Sequence, residues 1–246
     1  MSATNRGAVR ADKDFYPTNS WIVHRFLEAW QPRDLARPWL EPCAGEGSII
    51  GAVNEIWKGV SWHAVELNGD GAVVEKLSAA GARTIWPGWD FLKWEPQGMM
   101  HAVTRPYAVA FTNPPYSIAW DVIKHAMQFA EQVVMLLRVN FLGSEGRAAW
   151  LKEHTPNMYI LPNRPSYGVN EHGRKGTDAT EYAWYVWDAT RRRGQPGTVQ
   201  ILNLTPDNVR AEQWNQAFGH LVRECACPKC EQKRTGWPEL EERMGR

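Results

Sequence analysis

Asn113-Pro114-Pro115-Tyr116 joins one planar amide, two consecutive imino acids and an aromatic ring, directly after the apolar run Tyr107–Thr112. Read as a buried strand, that run delivers the tetrapeptide to the carboxyl edge of a sheet, where open α/β folds place their ligands. Neither proline has an N–H, and Pro114 restricts Asn113 to extended geometry, so the turn is stiff and its carbonyls face outward. An exocyclic amino group on a planar base carries two hydrogens. Asn113 Oδ1 beside the Pro114 carbonyl accepts both, while Tyr116 stacks on the base, a contact of roughly 1–3 kcal/mol. An isolated Asn-Pro dipeptide is an ordinary turn; the full tetrapeptide after a strand is much rarer.

A second group of residues lies upstream. Trp39-Leu40-Glu41-Pro42 reads as a strand running into Cys43-Ala44-Gly45-Glu46-Gly47, followed by a helix over 48–57. The turn holds Gly-x-Gly without a third glycine at the dinucleotide-loop offset, which is a weak signal alone. Its neighbours strengthen it. The next strand, Trp62–Glu66, ends in an acid placed to accept both hydroxyls of a ribose, and Asp90, beyond a third strand at 83–86, can accept an adenine amino group. Phe91 or Leu67 packs against that adenine. Acids at strand ends are commonly just solvated, but Glu66 follows the Gly-rich turn within one unit.

The elements that position these residues alternate along the chain. A helix capped by Thr18 or Ser20 runs to Trp30, and further helices are predicted over 69–80 and 118–130, with a fifth strand over 132–138. Such alternation gives a mostly parallel, doubly wound sheet. Strands at 157–161, 181–187 and 198–202, with no clear helix between the first two, add an antiparallel edge. Residues 139–156 and 162–180 read as loops. The second holds three glycines with Arg164, Arg174 and Lys175, and is long enough to be functional. The boundaries expected are a flexible arm over 1–13, a catalytic domain over 14–204, and a C-terminal helix with a Cys-rich tail over 205–246.

The order Tyr16-Pro17-Thr18, Glu41-Pro42-x-Ala44-Gly45-x-Gly47, Glu66, Asp90-Phe91, Asn113-Pro-Pro-Tyr116 resembles the DNA adenine-N6 methyltransferases, in the arrangement with cofactor motifs first. The resemblance covers about residues 14–190. It implies a class I, Rossmann-like methyltransferase fold with helices on both faces of a mixed sheet, and S-adenosylmethionine as cofactor. Glu41 and the loop Cys43, Ala44, Gly45 to Gly47 would hold the methionine part, with Tyr16 and Thr18 closing over that end. Glu66 would hold the ribose; Asp90, with Phe91 or Leu67, would hold the cofactor's adenine. Asn113, Pro114, Pro115 and Tyr116 would hold the target adenine, extruded from the duplex, for direct in-line methyl transfer with no covalent enzyme intermediate and no metal. Tyr167 stands where a second stacking ring is expected, or is a surface tyrosine. The same turn also suits an RNA adenine or protein glutamine methyltransferase, and a non-catalytic nucleic-acid-binding subunit on this fold is the remaining alternative.

Composition bounds the rest. A chain of 246 residues with 43% apolar content can bury a large core, and its 14 tryptophans are expected mainly there. No run approaches the roughly 20 apolar residues of a membrane span, and the polar start has no signal-peptide segment, so a cytoplasmic location is expected, in a bacterium or phage-infected host. The net charge of +1 gives no global field for nucleic acid; any DNA-binding surface must be local. Few residues follow the strand at 181–187, so the loops at 139–156 and 162–180 would read base edges. Arg191-Arg192-Arg193 would neutralise phosphates, or form a solvated turn. His220, Cys225, Cys227 and Cys230 offer zinc-type ligands with one good Cys-x-x-Cys knuckle; reduced thiols, or a site shared between chains, are the other readings.

Overall fold

The structure, a computed structural model, describes residues 17–96, 105–166 and 180–219. Its elements in chain order are α1 (Ser20–Ala29), β1 (Trp39–Glu41), α2 (Ser48–Ile56), β2 (Trp62–Glu66), α3 (Gly71–Ala80), β3 (Ala82–Pro87), β4 (Tyr107–Thr112), α4 (Ala119–Phe129), β5 (Ala130–Arg138), α5 (Glu145–Glu153), β6 (Asn157–Ile160), β7 (Tyr182–Asp188), β8 (Val199–Ile201) and α6 (Asp207–Phe218). The strands form one sheet in the order β3-β2-β1-β4-β5-β7-β6-β8. Neighbours from β3 through β5 are parallel, and β7 runs antiparallel between β5 and β6. The mixed sheet with an antiparallel edge is the fold class expected from the sequence.

Two apolar cores cover the two faces. Helices α1, α2 and α3 bury Ile22, Phe26, Ile50, Val53 and Leu77 against one face, where Trp39, Phe111, Leu136 and Trp184 point. Helices α4 and α5 bury Val122, Ile123, Phe129 and Leu151 against the other, with Leu40, Val65, Val133 and Met135. Every residue of β4 is buried, which explains why it reads as an unbroken apolar run instead of alternating. Side-chain alternation therefore assigns Glu41, Glu66 and Arg138 to the α1–α2 face, two residues beyond Trp39, Ala64 and Leu136 respectively. The tryptophans serve mainly as core: Trp30, Trp39, Trp57 and Trp62 meet at centroid distances of 5.3–6.1 Å.

Residues 139–156, expected as a loop, are instead a 3-10 turn at Val139–Leu142 followed by α5. Glu-Gly-Arg-Ala-Ala-Trp-Leu-Lys-Glu has no apolar stripe, and Leu151 is its one buried residue, so the periodicity that reveals helices is missing. Arg147 fixes the helix to the preceding turn, its Nη2 donating to the Phe141 carbonyl at 2.7 Å. At the other end of the chain, α6 docks on α1: Gln213 Oε1 accepts from the Trp21 N–H at 2.9 Å. Among the described residues no helix is long and apolar enough to cross a membrane.

Candidate active site

The Gly-rich turn is shaped by two left-handed residues, Gly45 (φ 52°) and Gly47 (φ 82°). Gly47 precedes the first residue of α2, and a Cβ there would lie 2.7 Å from the Ala80 Cβ, so its absence also lets α2 and α3 approach. Across the turn stands Glu66. Its Oε2 accepts the Gly45 N–H at 2.6 Å and its Oε1 the Asn68 N–H at 2.8 Å. Both oxygens are thereby fixed, and each retains a lone pair for a ligand hydroxyl.

Glu41 lies deeper, 2% exposed at the end of β1. Its Oε2 is buried with no hydrogen-bond partner. Burial, and then the charge of Glu66, raise its carboxyl well above the ordinary carboxylate range, with the Ile50 N–H opposing the shift. The same burial and the nearby carboxylates push the Cys43 thiol up, which leaves it unreactive. A buried carboxyl with an orphaned oxygen facing a glycine turn suits one kind of ligand group above others, a cation with N–H donors.

On the next strand tip, Asp90 accepts the Leu92 N–H through Oδ1 at 3.0 Å and sits 3.6 Å from Lys93 Nζ. The tips of β2 and β3 are tied by the Trp89 N–H donating to the Glu66 carbonyl at 3.1 Å. Of the two apolar candidates beside them, Phe91 is committed to the core, stacked on Trp94 and edge-on to His125. Leu67 is 62% exposed and open to a ligand.

Asn113 follows β4 on the same edge. Its Nδ2 donates to Thr18 Oγ1 at 3.1 Å, which commits the amide nitrogen and turns Oδ1 the other way. Thr18 does not cap α1; Asn19 occupies that position, without a side-chain bond. The Pro115 carbonyl accepts the Ile118 N–H at 3.1 Å as α4 begins, whereas the Pro114 carbonyl has no backbone partner among the described residues. Tyr116 lies against both cores, with its ring 5.9 Å from that of Tyr182 and the Arg138 guanidinium 5.2 Å from its centroid. Arg138 was not singled out in the sequence; its one signal is a charge closing the apolar run 133–137.

The structure thus brings Thr18, Glu41, Cys43, Ala44, Gly45, Gly47, Glu66, Leu67, Asp90 and Asn113 to Tyr116 to one sheet edge. Arg164 pairs with Glu181, next to β7's start. Arg191 and Arg193 do not join them: Asp188 pairs with Gln132 near the start of β5, which puts the triple arginine at the opposite edge. Arg191 there binds Asn157 Oδ1 at 3.2 Å and Arg193 pairs with Glu153 at 3.4 Å. Tyr16, Tyr167, Arg174, Lys175, His220, Cys225, Cys227 and Cys230 lie outside the described residues.

No family model and no curated protein matches the chain. Among solved structures it is similar to a candidate RNA methyltransferase from Pyrococcus horikoshii, at 12% identity and a TM-score of 0.49, over 74% of this chain and 92% of that one. A dimethyladenosine transferase from Plasmodium falciparum aligns at 12% identity and a TM-score of 0.44, over 71% of this chain and 62% of that one. A precorrin-6y C5,15-methyltransferase from Geobacter metallireducens aligns at 11% identity and 0.43, over 76% and 93%.

Proposed function

We propose that the chain is an S-adenosylmethionine-dependent methyltransferase acting on the N6 amino group of adenine in DNA. The observation that carries this reading is the Asn113 amide, anchored through Nδ2 on Thr18; Oδ1 and the Pro114 carbonyl would then serve as a paired acceptor beside the Tyr116 ring. The paired acceptor matches a planar amine with two hydrogens. The choice of DNA rests on Tyr16-Pro17-Thr18 together with Glu41-Pro42.

The cofactor side fits. Glu41 Oε2, buried and unpartnered, would receive the ammonium of the methionine part, and the preset Glu66 carboxylate the ribose hydroxyls. Asp90 and Leu67 would border the adenine. Bound there, the cofactor supplies an electrophilic sulfonium methyl. The amine's lone pair is delocalised into its ring, and drawing both hydrogens towards Asn113 Oδ1 and the Pro114 carbonyl raises electron density on the nitrogen. Tyr116 holds the base plane. Transfer would exchange the sulfonium's S–CH3 bond for an N6–CH3 bond, and the nitrogen, cationic once methylated, would lose one of its hydrogens to water as a proton, so no strong base is needed.

The test incubates the protein with tritium-labelled S-adenosylmethionine and, separately, adenine-unmethylated duplex DNA, RNA and protein extract, then digests the polymers. Label in N6-methyladenine from DNA supports the reading, while label confined to RNA or protein overturns the substrate. Asn113→Ala should abolish transfer and leave cofactor affinity within about threefold, less than one hydrogen bond's worth. Equal loss of both would sink the division of the site.

A further inference from the structure

We infer that Arg138 is the substrate-phosphate contact of this site, gripping the DNA backbone beside the target nucleotide; the inference rests on the function proposed above and names a residue for its substrate. The net charge of +1 leaves no general attraction for a polyanion, so a local cation has to supply it. Arg191 and Arg193 are engaged at the opposite sheet edge, and Arg164 is neutralised by Glu181.

Arg138 differs from them in place and in state. It ends β5, opposite Tyr182, three residues past Met135, which stands level with Thr112. It therefore overhangs the turn that begins at Asn113. Its guanidinium lies 5.2 Å from the centre of the Tyr116 ring, a contact that keeps the group flat and charged without consuming its N–H donors. Arg138 Nε is buried with no hydrogen-bond partner, and the guanidinium makes no ion pair among the described residues. A half-buried guanidinium over an aromatic ring, with no ion-pair partner among the described residues, is completed by an anion. A base stacked on Tyr116 carries its phosphate on the same nucleotide, one sugar away, in reach of a long side chain beside that ring.

The variant Arg138→Met keeps a long side chain over the ring and removes the charge; Arg138→Lys keeps the charge. With duplex DNA carrying a mapped target adenine, Arg138→Met should raise KM about tenfold, leave cofactor affinity unchanged, and lower the slope of log affinity against log salt by about one unit. Arg138→Lys should recover most of the KM. On DNA whose phosphate beside that adenine is a neutral methylphosphonate, the wild-type protein should fall to the level of Arg138→Met, a cycle that needs no mutant to fold. An unaltered KM and salt slope in Arg138→Met, or a loss in kcat alone, would overturn the inference while wild-type DNA methylation upholds the function. Failure of the wild-type protein to methylate DNA would overturn both.

Discussion

Asn113 Nδ2 donates to Thr18 Oγ1 across 95 residues of chain, at 3.1 Å. An unanchored amide can present either end to a ligand, and with its NH2 outward it would repel the amino group of the proposed substrate. Thr18 removes that freedom, because its hydroxyl sits at the entry to α1, 6% exposed. Thr18→Ala should therefore cut kcat about tenfold, the equivalent of about 1.4 kcal/mol, with DNA KM little changed. Thr18→Ser keeps the hydroxyl and should retain most activity. Steady-state tritium transfer decides it; an unchanged kcat in Thr18→Ala would show that the Asn113 amide holds itself.

Glu66 ties the Gly-rich turn to the tip of β2. Removing its carboxylate strands the Gly45 and Asn68 N–H groups as well as any ribose contact. Glu66→Ala should weaken S-adenosylmethionine binding about 100-fold, since the stranded, part-buried Gly45 N–H and lost ligand bonds sum to roughly 3 kcal/mol. Titration calorimetry reads this directly. A change under about threefold would show that the ribose lies elsewhere.

Gly47 is required twice over, by φ 82° and by the 2.7 Å that would separate its Cβ from Ala80. Gly47→Ala should lower stability by about 2 kcal/mol, or a melting temperature fall of about 4–8 °C for a chain this size. Gly47→Ala with Ala80→Gly should recover the steric part and leave the backbone part. Thermal melts of the two variants separate those contributions; equal melting temperatures would mean that sterics across α2 and α3 are irrelevant.

Those residues were legible in the sequence because strand tips and Gly-rich turns are local patterns. Glu41 and Glu66 end the short strands β1 and β2, Asn113 follows the apolar run of β4 and Asp90 lies beyond β3, and alternation assigns Glu41 and Glu66 to one face. The Thr18–Asn113 bond was not legible, since it joins segments that only the folded sheet brings together; the sequence offered Thr18 as a helix cap alongside Ser20, and the resemblance placed it over the methionine end of the cofactor. Helix α5 escaped because its surface-facing composition carries no stripe. Arg191 to Arg193 read as a phosphate grip or a solvated turn, and because β7 runs antiparallel they stand at the sheet edge opposite Asn113. Arg138, which no motif marked, ends β5 at the Asn113 edge.

Glu41 makes the site sensitive to pH in a direction set by its environment. Burial and the Glu66 charge raise its carboxyl well above the ordinary range, whereas in the unfolded chain it ionises normally. Below the unfolded value both states hold the proton and the cofactor-free protein has its full stability. As pH rises towards the folded value, the unfolded chain releases its proton first and stability falls. Glu41→Gln has no proton to lose. Without cofactor, its melting temperature should equal the wild type's near about pH 4 and exceed it at neutral pH, by about 2–4 °C for each kcal/mol of linkage. S-adenosylmethionine should reverse the order: its ammonium would stabilise the ionised carboxylate, so ligand raises the wild-type melting temperature and leaves Glu41→Gln nearly unmoved. Paired melts across pH with and without ligand test both signs. A variant that tracks the wild type at every pH would show that the folded protein already satisfies the Glu41 charge, and an equal ligand-induced rise would remove Glu41 from the cofactor site.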